Sequence, residues 1–454
     1  MKIKTLTRTP HQNPGAAAKQ ERNLRPEAHP FERAREYKRA LNAVKLERLF
    51  AAPFIGQLGR GHVEGVYSMA KDPNSLKHFA SGSGDGVVKV WDLTSRDEVF
   101  QTSAHQTQVK GLSWTHDQKL LSCGADRYLK LYDPYNTESG AAPISHWTSE
   151  SGLNAISMHR TQNAVAAAAS GYISIYNLDR QSAAPERIQW PNSTDTVTDV
   201  AINQLETSLL ASTATDRSII IADLRTSMPV HKTILKFASN RVSWNPMEAF
   251  NLAVANEDHN VYIFDVRKFS SALNILKGHV HAVMDVEWSP TGQELVTGSY
   301  DRTVRLFRRD SGHSRDIYHT KRMQRVFRTC FTPDSKYIIS GSDDGNLRLW
   351  RAEASSRSGV QSARQRISLE YNKALVDRYA HMPEIRRIKN HRHVPKVVKK
   401  AGIIKKEELA ALKRREENER KHSAKGQEKR RPEREKVILA NEKGCFRAKE
   451  APCL

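Results

Sequence analysis

The chain has 454 residues, 38% of them hydrophobic and 27% charged, with a formal net charge of +22. Its longest small-apolar run, "AVAAAA" at 164–169, is far too short to cross a bilayer, and the opening "MKIKTLTRTPHQNPG" lacks the apolar stretch of a secretory signal. Cys123, Cys330, Cys445 and Cys453 stand outside any CxxC pair or metal spacing with His, so a disulfide framework and a metal site are set aside and a soluble, intracellular, reduced protein is expected.

The charge is unevenly placed. Residues 1–50 hold 12 basic and 5 acidic side chains, residues 351–454 hold 29 and 14, and residues 51–350 hold 31 of each. A neutral centre therefore lies between two basic arms. One-signed arms of this kind commonly bind a polyanion; the alternative is a solvated tail that only maintains solubility.

The first element is a helix within 26–49, "PEAHPFERAREYKRALNAVKLERL". Pro30 suits a first helical turn, and Phe31, Ala34, Tyr37, Leu41 and Val44 recur at spacings of three and four. This stripe is expected to dock on the central domain or on a partner. "AAPFIGQLG" (51–59) then reads as a strand.

From there a motif repeats. "SGSGDGVVKVWDL" (81–93) returns as "SCGADRYLKLYDP" (122–134), "STATDRSIIIADL" (212–224), "VANEDHNVYIFDV" (254–266), "TGSYDRTVRLFRR" (297–309) and "SGSDDGNLRLWRA" (340–352), with a degenerate copy, "AAAASGYISIYNL", at 166–178. The anchors Trp91, Tyr132, Tyr176, Ala222, Phe264, Phe307 and Trp350 are separated by 41, 44, 46, 42, 43 and 43 residues. That is the period of WD repeats, and seven copies predict an all-β fold, a seven-bladed WD-repeat β-propeller over residues 50–352. The strand at 51–59 is expected to complete the last blade beside 346–352, hiding an open edge.

Asp85, Asp126, Asp216, Asp258, Asp301 and Asp344 each precede an anchor by six residues, where Gly, Arg or Asn neighbours suit a tight turn. His62 and His279 follow a Gly upstream, with looser counterparts at His105 and His319. In WD repeats such a His and Asp bond within one blade, so these residues read as scaffold. The same recurrence argues against catalysis: an enzyme site is not copied seven times. "GSGDG" at 82–86 lacks the spacing and the following helix of a phosphate loop. No enzyme activity and no cofactor are expected.

Two steps stand apart from the scaffold, Asp223-Leu224-Arg225 and Asp265-Val266-Arg267, in consecutive blades. They read either as blade-edge ion pairs or as exposed contacts.

After Trp350 comes a Ser-rich linker, "EASSRSGVQSARQ", and then Ile367, Tyr371, Leu375 and Tyr379 recur every four residues as a second amphipathic helix. Pro383 opens a short third helix carrying Ile385 and Ile388, and Pro395 breaks it. A long charged helix is expected from 403 to about 423, and "KGQEKRRPEREK" beyond it reads as disordered. Residues 1–49, 353–440 and 441–454 are thus taken as a basic N-terminal extension, a basic helical C-terminal domain and a tail of unassigned role.

"MPEIRRIKNHRHVPKVVKK" (382–400) holds seven Lys or Arg, two His and one carboxylate. Arg386, Arg387, Lys389, His391, Arg392, His393, Lys396, Lys399 and Lys400 are the candidate RNA-binding residues. No Phe, Tyr or Trp falls between residues 380 and 445, so a base-stacking platform is missing there and contacts to phosphates are expected.

"YNKALVDRYAHMPEIRRIKNHRHVPKVVKK", "RREENERKHS" and the N-terminal "NPGAAAKQERNLRPEAHPFERAREYKRALNAVKLERLFAAPFIGQLGRGHVEGVY" resemble the SOF-like family of WD-repeat proteins. The resemblance covers roughly residues 1–425. It implies a nuclear, nucleolar component of the small-subunit processome, associated with the U-three small nucleolar ribonucleoprotein and required for maturation of small-subunit ribosomal RNA. Partners would be pre-ribosomal RNA and other processome proteins, with no membrane. The final "VILANEKGCFRAKEAPCL" departs from the family pattern. The resemblance also implies a substrate receptor of a cullin-four ubiquitin ligase; such receptors resemble one another in an Asp-x-Arg step after a blade's third strand, and Asp223, Arg225, Asp265 and Arg267 would then contact the adaptor.

Overall fold

The computed structural model describes residues 25–135, 142–181, 183–191, 195–356, 359–424 and 430–443. Two compact units are present, one formed by Met1–Pro53 with Glu353–His393, the other by Phe54–Ala352 with Val394–Leu454.

The second unit is a seven-bladed β-propeller. Six sheets have four strands and one has five, all antiparallel, and in five of the seven the strands follow one another in chain order. The anchor side chains that mark the repeat are all buried, among them Trp91, Phe264 and Phe307. Each sits late in a third strand, and burial of one of the aromatic anchors stabilises the fold by about 2–3 kcal/mol, with Ala222 contributing less. Blade 7 is completed by Phe54–Gln57, which pairs with Leu347–Arg351 in the register Phe54↔Trp350 and Gln57↔Arg348. The ring closes as the sequence implies.

The turn before each third strand explains the recurring Asp. The residue after it has a positive φ in six blades: Gly86, Arg127, Arg217, His259, Arg302 and Gly345 all lie between 64° and 83°. The Asp carboxylate accepts the backbone N–H two residues on, as from Val87, Tyr128, Ser218, Asn260, Thr303 and Asn346. This Asx-type bond holds a left-handed residue in place even where it is not glycine. At Gly86 a side chain would collide with the carbonyl of His105.

A His–Asp bond is present in two of these blades. Nδ1 of His105 lies 2.9 Å from Asp126, and Nδ1 of His279 lies 2.8 Å from Asp301. Elsewhere the aspartates have other partners: Lys232 at 2.9 Å for Asp216, Tyr262 for Asp258, and Arg348 for Asp344. His62 turns to the Ser81 hydroxyl, 2.6 Å from Nε2, which also accepts the Trp91 indole N–H at 2.7 Å.

Four further expectations are corrected. The first helix, α1 (Glu32–Leu49), starts later than Pro30, after a short 3-10 turn at Pro26–Ala28. Phe31 is left-handed (φ 60°) and 81% exposed, and the buried positions are Glu36, Ala40 and Val44. Phe31 and Ala34 fall off the packed face, but Tyr37, Leu41 and Val44 keep the expected stripe, which packs on the C-terminal helices of the same unit. These are α2 (Ala363–Arg378), opened by a Ser362/Gln365 capping box, and α3 (Pro383–Asn390).

The long helix α4 spans Lys396–His422, so Pro395 begins a helix rather than only ending one. The stretch read as disordered is partly ordered: Glu433–Lys436 forms α5, and Ile438–Lys443 adds a fifth strand to blade 4 against His231–Leu235. Val437 and Ile438 reach the apolar cluster of blades 4 and 5, while Glu433 pairs with Lys277 and Lys436 with Glu416. Two apolar residues and matched charges are enough to order a segment whose composition is otherwise polar. Asn441–Lys443 thus belongs to a strand, and the rest of the 441–454 tail, with Cys445 and Cys453, lies outside the described residues.

Candidate nucleic-acid interface

The basic box, as far as His393, is built on the first unit. Ala40 and Val44 of α1, Leu375 and Val376 of α2 and Ile385 of α3 form its core, flanked by Tyr37, Tyr379, Met382 and Ile388. The buried carboxylate of Glu36 accepts from Arg378 at 3.1 Å and from the Tyr379 hydroxyl at 2.9 Å. Tyr37 donates to Glu384 at 3.0 Å, and Arg48 donates to the Lys389 carbonyl at 2.6 Å. Because Ile385 and Ile388 face inward, α3 must turn Arg386 and Arg387 outward, and both are exposed.

An open depression of about 510 Å³ lies on this face, lined by His381, Pro383, Arg386, Arg387, Asn390 and His391. Two guanidinium forks, two imidazoles and an amide give donors without a competing carboxylate, a set suited to phosphate oxygens.

The other predicted residues divide. Lys389 pairs with Asp377 at 3.2 Å. Arg392 donates to the carbonyls of Lys389 and His391, at 2.5 and 3.0 Å, and so caps the end of α3. His393 is exposed and ends the first unit. Lys396, Lys399 and Lys400 are exposed on the first turns of α4 and belong to the second unit. The box is therefore not one surface of one element. In the second unit α4 is held by Lys405, which donates to the His279 carbonyl at 3.1 Å and whose ammonium pKa is lowered by burial.

His381 and Asn390, which line the depression, and Arg48, which caps α3, were not singled out by sequence. His381 lies within the box-like stretch "RYAHMPEIRR"; Arg48 is 341 positions from its partner and carries no local signal.

The two Asp-x-Arg steps have the same geometry. Each Asp ends a third strand, Ser218–Asp223 in blade 4 and Val261–Asp265 in blade 5. Arg225 grips Asp223 at 3.3 and 3.1 Å, and Arg267 grips Asp265 at 3.1 and 2.9 Å. Both guanidinium groups hold their Asp below the usual carboxylate range while staying 76% and 67% exposed. Arg267 also lies 3.9 Å over the Phe250 ring.

A model of the Sof1-like domain matches residues 352–438, and that of the WD domain, G-beta repeat, matches 55–92, 97–133, 270–308 and 311–351. Protein SOF1 of Saccharomyces cerevisiae is 47% identical over 450 residues, spanning 93% of this chain and 91% of that protein. The chain belongs to the Sof1-like family of WD-repeat proteins. Protein sof1 of Schizosaccharomyces pombe is 49% identical over 98% of this chain and 100% of its own length. DDB1- and CUL4-associated factor 13 of Danio rerio is 39% identical, over 97% and 99%. The WD matches fall on blades 1, 2, 6 and 7; the looser repeats at 166–178, 212–224 and 254–266 supply blades 3 to 5. Among the described residues no helix is long and apolar enough to cross a membrane.

Proposed function

We propose that the chain is a ribosome-biogenesis factor of the small-subunit processome, a propeller scaffold whose basic arms contact pre-ribosomal RNA and the U-three small nucleolar ribonucleoprotein in the nucleolus. The observation that carries this reading is the exposed cationic depression around Arg386 and Arg387, in a chain whose whole charge excess lies outside its propeller. The family resemblance supplies the ribosomal context. Contacts run to phosphates, so affinity is electrostatic and weakly selective for sequence. Crosslinking in cells followed by sequencing of bound RNA tests it: ribosomal RNA precursor is expected, and no RNA enrichment would sink the reading.

A second reading, a substrate receptor of a cullin-four-type ubiquitin ligase, rests on the paired, exposed Asp223–Arg225 and Asp265–Arg267 forks in adjacent blades. The relatives named DDB1- and CUL4-associated factor 13 give it a candidate adaptor. Arg225→Ala with Arg267→Ala should abolish adaptor pull-down and leave RNA crosslinking intact. Loss of both would mean that the two surfaces overlap.

A further inference from the structure

Blades 6, 7 and 1 bring together a group of side chains that neither reading uses. Tyr67 stacks on Phe327, with centroids 4.5 Å apart and planes 20° apart. Tyr300 meets the same Phe327 edge-on at 5.8 Å. The Arg325 guanidinium lies 5.3 Å over the Tyr300 ring. Phe327 is buried and the two tyrosines are half-exposed, so the group is an aromatic floor with two open rims.

Two carboxylates stand beside it. Asp343 and Glu64 are exposed, and no ion pair among the described residues uses either one. Their placement depends on missing side chains: a Cβ on Gly65 would come 3.2 Å from the Asp343 carboxylate, and a Cβ on Gly84 would come 2.6 Å from that of Glu64 and 3.1 Å from the Tyr67 ring. The loops are tied together by Gly84 N–H to Gly65 carbonyl at 3.0 Å and Asp343 N–H to Arg325 carbonyl at 2.9 Å. The half-buried Arg328 donates to the Tyr67 carbonyl at 2.8 Å. The Tyr67 hydroxyl is pushed up chiefly by burial, with Asp343, Tyr300 and Glu64 adding to the shift and Arg325 opposing it.

We propose that this surface binds a protein segment through one arginine side chain, seated against Tyr67 and Tyr300 and paired with Asp343 and Glu64. Aromatic faces and unpaired carboxylates are the two features that recognise a guanidinium, by cation–π attraction and by fork-shaped hydrogen bonds. Arg325 already occupies part of the place in the free protein, and an incoming arginine displaces or stacks beside it. Lys321 and Arg322 are exposed in the same loop, so the segment is otherwise neutral or acidic rather than a basic tract.

The test uses the full chain and two fluorescein-labelled ten-residue peptides of Gly, Ser and Ala, one with a central arginine, the other with citrulline, which keeps the shape and removes the charge. Fluorescence anisotropy up to millimolar protein should show about ten-fold tighter binding of the arginine peptide. Tyr67→Leu and Asp343→Asn should each erase most of that preference without moving the melting temperature. Arg325→Ala should strengthen binding, because it frees the Tyr300 face. Equal binding of the two peptides overturns the proposal, as does a preference that survives Tyr67→Leu. If Tyr67→Leu instead weakens RNA crosslinking and the peptides are not distinguished, the surface stacks bases and the assignment to protein is wrong.

Discussion

His279 and Asp301 face each other inside blade 6, with Nδ1 of the imidazole 2.8 Å from the carboxylate and both side chains sealed from solvent. The carboxylate also accepts the Thr303 N–H at 2.9 Å and hydroxyl at 2.6 Å, and Nε2 of His279 meets the Thr297 hydroxyl at 2.7 Å. Burial opposes ionisation of Asp301, but His279, Arg305 and Thr303 outweigh it and hold the carboxyl well below the usual carboxylate range. Asp85, at the equivalent turn of blade 1, is half-buried, and its carboxylate accepts the Val87 N–H at 3.1 Å. Asp301→Ala should therefore cost about 3–5 kcal/mol by leaving a buried network open. Asp85→Ala should cost about 1 kcal/mol. Denaturant unfolding of the full chain measures both, and equal losses would show that the turn matters and the histidine does not.

His62 makes the propeller sensitive to acid. Burial lowers its pKa to about 4, with Lys89 adding to the effect and Asp85 opposing it. An unfolded histidine titrates near 6.5, so between about pH 4 and 6.5 the unfolded chain binds the extra proton. Stability is full above that window and falls as pH drops through it, by at most about 3 kcal/mol from this residue. His105 and His279 are lowered in the same direction, again chiefly by burial. Denaturation midpoints at pH 4.5, 5.5 and 7 should fall steadily toward acid. His62→Gln should flatten the trend, and an unchanged trend would remove His62 as a contributor.

The strand Ile438–Lys443 shields the outer edge of blade 4. Truncation after Ser423 should expose that edge and uncover the apolar cluster beneath Val437 and Ile438, lowering stability by about 2 kcal/mol. An exposed edge also pairs with other chains, so aggregation should rise. Light scattering and a melting curve follow the two effects. An unchanged melt would mean that the strand rides on the blade without supporting it.

The repeat was legible because burial and turn chemistry recur at a fixed period: Trp91, Phe264 and Trp350 mark third strands, and the aspartates mark turns. What each Asp bonds was not legible, since Asp344 takes Arg348 from its own strand while Asp301 takes a histidine from 22 positions upstream. The box at 382–400 was legible as charge, and the outward aim of Arg386 and Arg387 follows from Ile385 and Ile388 on the opposite side of α3. Its partition was hidden. Whether a lysine is free depends on distant groups, such as Asp377 beside Lys389, and a capping arginine looks the same in sequence as a phosphate-binding one. The strand at 438–443 was missed for a related reason: "ILANEK" has too little alternation to declare itself and is ordered by a blade edge more than 200 positions earlier.

Arg386 and Arg387 should carry a measurable share of the salt dependence of RNA binding. For single-stranded RNA, log affinity falls with log salt by about 0.7 per phosphate contact, so Arg386→Ala with Arg387→Ala should make the slope shallower by about 1.4. Lys396, Lys399 and Lys400, changed together to Ala, should remove about 2 if all three engage. Lys389→Ala should change the slope less, because its charge is shared with Asp377. Arg392→Ala should act on the fold instead, loosening the end of α3 and lowering the melting temperature. None of the other substitutions should move the melt, since their side chains face solvent. Titrations at several salt concentrations on two unrelated RNAs separate these outcomes, and both RNAs should weaken by similar factors. A slope that stays put in the Arg386/Arg387 pair assigns the depression to a protein partner. A loss confined to one RNA means that His381, Asn390 or His391 reads a base edge beside the phosphate.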